Sequence, residues 1–195
     1  MTHNPEYAFS LSPMQQSIRD RCNHPSGKFA KFPVADVETS IPARFEKIVR
    51  QHASRIAVKT ETCAVTYNQL NDMANRFAHV LLQTQGAKAQ PVALLLEKDV
   101  AQVAAVMGAM KAGKFFLVLD PSFPKTRLAA MLKGSHAKLV VTNRGNASLA
   151  DEIIASDCQL MQWEAVDGSI SPDNLELPIA PKALAFINYT SGSTG

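Results

Sequence analysis

Residues 91–96 and 115–119 are two continuous apolar runs, Pro-Val-Ala-Leu-Leu-Leu and Phe-Phe-Leu-Val-Leu. Between them Ala101, Ala104, Ala105, Ala109 and Met110 return at steps of three and four. Short unbroken apolar runs are the pattern of strands buried on both faces, and the three-four spacing is that of a helix. Strand, helix and strand in that order form a βαβ unit, whose crossover is right-handed. The punctuation agrees: Asp99, three residues before Gln102, predicts an N-cap, and Gly113 predicts a left-handed C-terminal cap.

The alternation continues on both sides. Residues 42–51 read as an amphipathic helix with Pro42 in its first turn, and 55–59 as a short strand. Thr66 opens the clearest helix, on which Tyr67, Leu70, Ala74, Phe77 and Leu81 share one face. Thr66 and Gln69 form a capping box, which gives that Thr a folding role. Downstream, residues 124–132 and 148–154 read as helices, and 138–142 and 159–163 as strands. Residues 167–181, polar and interrupted by Pro172, Pro178 and Pro181, read as a connecting loop. Residues 183–189 predict a last strand, buried on both faces. The expected class is α/β: an open, mainly parallel sheet with helices on both faces, which binds ligands beyond the carboxyl ends of its strands. Residues 1–40, with Pro5, Pro13, Pro25 and Pro33, predict an extended N-terminal arm, and 41–195 the folded part.

Several functions are excluded by what the chain lacks. Its 195 residues carry a net charge of +3 with no long Lys/Arg run, which argues against nucleic acid. No stretch approaches a membrane span or the layout of a signal peptide. Cys22, Cys63 and Cys158 are too scattered for a disulfide framework and fit a reducing, cytoplasmic setting. Cys22 and His24 are the one Cys/His neighbourhood, short of the four ligands of structural zinc, so no metal site is expected.

The segment after the last strand carries the chemistry. Thr190, Ser191, Gly192, Ser193, Thr194 and Gly195 combine two glycines with four hydroxyls. Glycines let successive N–H groups turn inward to form an anion-binding concavity, and the hydroxyls add donors, a combination suited to nucleotide phosphates. A Walker A loop would need Gly-Lys-Ser/Thr, which is not present here. On composition alone a flexible Ser/Gly linker fits the same six residues.

Tyr189 together with residues 190–195 resembles the signature loop of the adenylate-forming superfamily, which holds acyl-CoA synthetases, luciferases and the adenylation domains of nonribosomal peptide synthetases. In that family the loop continues with Pro-Lys-Gly. Val65-Thr66-Tyr67-Asn68-Gln69-Leu70 resembles the first adenylation core motif. Residues 110–121, Met-Lys-Ala-Gly-Lys-Phe-Phe-Leu-Val-Leu-Asp-Pro, resemble the second, with Val118 where the family usually has Pro. Ser122-Phe123-Pro124 with Arg127-Leu128, and residues 40–46, also fit, the latter as the opening of an amino-acid-activating domain.

The resemblance covers about residues 18–195 and implies an enzyme that joins an amino acid to ATP, with Mg, as an acyl-adenylate. The acyl group would then pass to the phosphopantetheine thiol of a carrier protein. It implies phosphate binding at residues 190–195 and assigns no catalytic residue within this chain. The family's acid pocket, adenine contacts and catalytic Lys lie beyond the matched part, so the chain is expected to be a truncated adenylation lobe, inactive alone, with apolar surface left uncovered. Two alternatives stand beside it: a non-catalytic interaction module derived from such a lobe, and a small flavodoxin-like nucleotide-binding protein.

Overall fold

The computed structural model describes residues 12–21 and 33–190, with side chains of 18–21 left aside. They fall into two compact units divided between Val37 and Glu38.

In the first unit, α1 (Pro13–Arg21) lies within the segment expected to be an extended arm. Its start is a local device that outweighs the proline content. Ser12 Oγ accepts from Gln15 N at 3.3 Å, and Gln15 Oε1 accepts from Ser12 N at 2.9 Å. Pro13 stands at the first helical position, where no N–H is needed. A 3₁₀ turn, Val34–Glu38, follows.

The second unit begins with α2 (Ile41–His52), capped by Ser40. Strands β1 (Ile56–Lys59) and β2 (Ala64–Thr66) form a separate antiparallel pair, which the apolar pattern of three residues in β2 was too short to announce. Helix α3 (Tyr67–Gln85) starts at Thr66 with both halves of the expected capping box: Thr66 Oγ1 accepts from Gln69 N at 3.2 Å, and Thr66 N donates to Gln69 Oε1 at 2.8 Å.

The central sheet contains β3 (Pro91–Leu95), β4 (Phe115–Val118), β5 (Leu139–Thr142), β6 (Gln159–Gln162) and β7 (Phe186–Ile187), in the order β6-β5-β3-β4-β7. Every pairing is parallel. Helix α4 (Val100–Lys111) joins β3 to β4, α5 (Lys125–Ser135) joins β4 to β5, and α6 (Ala147–Ile153) joins β5 to β6. Right-handed crossovers in opposite directions along the sheet must lie on opposite faces, so α4 covers one face and α5 and α6 the other.

The core shows the alternation that this demands. Val92, Leu94, Leu96, Leu139 and Val141 pack with Phe77, Leu81, Ala105 and Ala109 of α3 and α4. Ala93, Leu95, Leu117, Leu119 and Val140 pack with Leu128, Met131, Leu132, Ala150 and Ile153 of α5 and α6. Both faces are therefore apolar, which is why these strands read as unbroken runs.

Helix α4 ends as the sequence predicts. Gly113 has φ +69°, Gly113 N donates to Met110 O at 3.0 Å and Lys114 N to Ala109 O at 2.9 Å, the two bonds of a Schellman cap. The preceding Lys111 is not on the surface. Its side chain is 2% exposed, paired with Glu46 of α2, and donates to Asn174 Oδ1 at 3.0 Å. Burial lowers its pKa, and the Glu46 carboxylate counters this.

The connection from β6 to β7 contains no helix or strand beyond a 3₁₀ turn, Trp163–Ala165, yet it is fastened down. Asn174 Oδ1 accepts from Lys111 Nζ, from Asn75 Nδ2 at 3.0 Å and from Asn71 Nδ2 at 3.2 Å. Asn75 Nδ2 also donates to Pro172 O at 2.6 Å, and Arg76 Nε to Ile170 O at 3.2 Å. Sequence composition marks this stretch as a loop but does not show that its polar side chains meet polar positions on α3.

One expectation fails here. The last strand is two residues long, at the edge of the sheet, and Phe186 is 57% exposed. An edge strand has one neighbour, so an apolar sequence does not by itself make it buried on both faces.

Candidate functional site

All five strands of the sheet are parallel, so one end collects every carboxyl terminus. Glu97, Lys98 and Asp99 leave β3, Asp120 follows β4, Asn143 and Arg144 follow β5, and Asn188, Tyr189 and Thr190 follow β7. Of the six residues predicted to bind phosphate, Thr190 is described: it is exposed, three positions past Ile187, at this end. Ser191, Gly192, Ser193, Thr194 and Gly195 lie outside the described residues, as do Cys22 and His24.

The approach to Thr190 is held by Tyr189. Its hydroxyl donates to the Met131 carbonyl of α5 at 3.1 Å. Ile187, one position before Asn188, packs into the α5–α6 side of the core. Parallel pairing of Leu117 with Ile187 puts the exit of β7 beside that of β4.

There Asp120 is tightly ligated. Lys98 Nζ lies 2.8 Å from its Oδ2, and Ser122 donates to Oδ1 through its N at 3.0 Å and its Oγ at 2.7 Å. Lys98 first and Ser122 second hold the carboxyl pKa down to about 2. The arrangement makes Asp120 the centre of a turn after β4, in line with a folding role for the second core motif.

In a doubly wound sheet a crevice opens where neighbouring strands send their connections to opposite faces, here between β3 and β5. Glu97 fills it. Its carboxylate accepts from Asn143 Nδ2, and from Asn146 Nδ2 at 2.8 Å. Two amide donors that would suit a ligand anion are used internally. The first four strands of the sheet do follow the flavodoxin-like order, but β7 returns to the opposite edge, beside β4. The flavodoxin-like alternative thus loses both its fifth strand position and its open crevice.

Two other clefts open at the amino ends of the strands. One of about 40 Å³ is lined by Pro42, Met110, Gly113, Ile179 and Leu184. The other, about 590 Å³, lies between α5 and the start of β6 and includes His136, Lys138 and Cys158. Burial raises the Cys158 thiol pKa, which disfavours the thiolate. Thr190 lines neither cleft. Among the described residues no group of three His, Cys, Asp or Glu could hold a metal ion, and no helix is long and apolar enough to cross a membrane. Magnesium that accompanies a nucleotide needs no such cage, because phosphates and water supply most of its ligands. The hydroxyl and amide donors of residues 190–195 suit the phosphates themselves.

The Tyr189 contact escaped the sequence reading. The sequence reading ends the partner helix at residue 132, whereas α5 runs to Ser135 and takes Gly134 inside it.

Comparison with known proteins agrees with the motifs. Residues 45–195 match the family model described as AMP-binding enzyme. The chain is 33% identical over 195 aligned residues to phosphinothricin tripeptide synthetase PhsC of Streptomyces viridochromogenes, covering 96% of the chain and 18% of the relative. It is 37% identical over 164 residues to tyrocidine synthase 2 of Brevibacillus parabrevis, covering 81% of the chain and 4% of the relative. The chain thus spans less than a fifth of the length of these curated relatives. Among solved structures, the nonribosomal peptide synthetase FmoA3 in its AMPPNP-bound form superposes with a TM-score of 0.71 at 26% identity, over 89% of this chain and 18% of that one. The N-terminal subdomain of Klebsiella oxytoca NpsA, in complex with 3-hydroxybenzoyl-AMSN, shares the fold with a TM-score of 0.72 at 17% identity, over 85% of this chain and 41% of that one. The chain therefore belongs to the AMP-binding enzyme family, and its α/β fold is that of the N-terminal part of a peptide-synthetase adenylation domain.

Proposed function

We propose that residues 190–195 bind the phosphates of ATP in an adenylation reaction that activates an amino acid. The observation that carries this is position. A Gly/Ser/Thr segment leaves the carboxyl end of a parallel strand, within the stretch that matches the AMP-binding family. Catalysis at such a loop is largely positional and electrostatic: N–H and hydroxyl donors hold the departing pyrophosphate oxygens as charge builds on them. Bound magnesium would share that charge. The activated acyl group would be handed to the phosphopantetheine thiol of a carrier protein, which is the partner proposed here.

The 195-residue chain is proposed to be inactive by itself. The two clefts described above open at the amino ends of the strands, and Thr190 lines neither. We assign residues 41–195 to the adenylation lobe and 1–40 to a separate arm. A cytoplasmic setting accords with Cys63 and Cys158, both free thiols.

A second reading, an interaction module, is favoured by one observation: Leu184 and Phe186 expose 71% and 57% of their surface at the β7 edge. Equilibrium dialysis against ATP, a flavin and a nicotinamide dinucleotide, with amino-acid-dependent exchange of labelled pyrophosphate into ATP, tests the proposal. ATP retained without exchange supports it. Exchange by the purified chain would refute its inactivity, and retention of the flavin or dinucleotide in place of ATP would refute the assignment.

A further inference from the structure

We propose that Tyr189 is a positioning residue for the phosphate loop: its hydroxyl, lodged in the space left by the missing side chain of Gly134, fixes where the chain departs toward Thr190. The inference rests on the reading of residues 190–195 as a phosphate loop.

Strand β7 contributes two residues to the ladder and stands at the open edge. So short a pairing sets the direction of the chain poorly beyond Ile187. The Tyr189 hydroxyl supplies a second attachment, to Met131 O, 58 residues away in sequence. Its host is firm. Helix α5 buries Leu128, Met131 and Leu132 against the sheet.

Gly134 makes the contact possible. A Cβ at that position would lie 2.5 Å from the Tyr189 hydroxyl oxygen, and 3.6 and 3.8 Å from the ring atoms Cζ and Cε1. The first distance is an overlap, and the other two are ordinary contact. Among the described residues the glycines with positive φ are Gly86 and Gly113; Gly134 is not one of them. Its backbone therefore suits any residue, and glycine is a poor choice for a helix. Glycine leaves room for the hydroxyl at the far end of the tyrosine side chain, which a methyl there would displace. Tyr189 touches no phosphate in this role; it acts through the loop that follows it.

Three variants of the 195-residue chain test this: Tyr189→Phe, Gly134→Ala and the double variant. Readouts are amide hydrogen exchange at Asn188, Tyr189 and Thr190, the Kd for magnesium pyrophosphate, and the urea midpoint. Loss of one hydrogen bond of usual net strength lowers the competent population, so Tyr189→Phe should raise Kd roughly fivefold and speed exchange to match. Gly134→Ala should have a similar effect, because relief of the overlap moves the hydroxyl off Met131 O while the ring keeps ordinary contact. The double variant should stay at the Tyr189→Phe level, since the new methyl then faces ring carbon alone. That non-additivity separates positioning from a general loss of stability. Additive effects of the two substitutions, or a lower urea midpoint with unchanged exchange and Kd, would overturn the proposal. Wild-type chain that binds no pyrophosphate would refute the phosphate reading and the positioning role with it, while the exchange data would still show whether the tyrosine anchors the strand exit.

Discussion

Helix α4 carries a glycine, Gly108, at its tightest contact with α3. Helix propensity alone says that Gly108→Ala should stabilise the chain by about 1 kcal/mol. The structure reverses the sign. A Cβ on Gly108 would stand 2.6 Å from the Ala74 carbonyl oxygen and 2.8 Å from Phe77 Cδ1. Both neighbours are 0% exposed, and one contact is backbone, which cannot rotate away. Ordinary contact needs a retreat of roughly 0.8 Å by one helix, which loosens a close-packed layer. Overpacking of this kind costs about 1–3 kcal/mol, enough to exceed the propensity gain. Urea unfolding followed by circular dichroism should give a lower midpoint at unchanged slope, by up to about 2 kcal/mol after the offset. Gly168→Ala is the control: nothing lies within 4 Å of its Cβ, and its effect should stay within about 0.5 kcal/mol. Gly108→Ala as stable as wild type, or more so, would refute the packing argument for α3 and α4.

Asn174→Ala removes one acceptor shared by Lys111, Asn71 and Asn75, and should cost about 2–4 kcal/mol in urea unfolding, because it leaves buried donors on those three side chains without this partner. Asp120 has a folded pKa of about 2, below the 3.8 of the free side chain, so its ligation by Lys98 and Ser122 stabilises the fold above about pH 4 and is lost as pH falls toward 2. Asp120→Asn should therefore lose less stability than wild type between pH 5 and pH 2, and parallel acid-unfolding curves would contradict this. Exposed Leu184 and Phe186 at the β7 edge predict concentration-dependent self-association in light scattering, reduced by Leu184→Lys with Phe186→Thr; a monodisperse monomer at high concentration would count against it.

Local signals survived the passage from sequence to structure where neighbours a few residues apart decide the outcome. The Thr66–Gln69 capping box, the Asp99 cap and the Gly113 stop are of this kind. The central strands were legible because burial on both faces leaves no room for polar residues. Long-range contacts were not. The buried Lys111 and the three bonds to Asn174 depend on partners distant in sequence. So does the edge position of β7, since apolar content does not say which strand lacks a neighbour. At the candidate site the loop chemistry was visible in Ser, Gly and Thr, while its anchor, a tyrosine fitted to a glycine on another element, required the fold.

The central claim is that residues 190–195 bind ATP phosphates. The most direct test is a titration of ¹⁵N-labelled chain with magnesium ATP, followed by amide chemical shifts. The account predicts saturable shifts concentrated at residues 190–195, reproduced by magnesium pyrophosphate and abolished by Gly192→Val. Shifts confined to the Glu97–Asn143 crevice or the Cys158 cleft, with residues 190–195 unmoved, would contradict it.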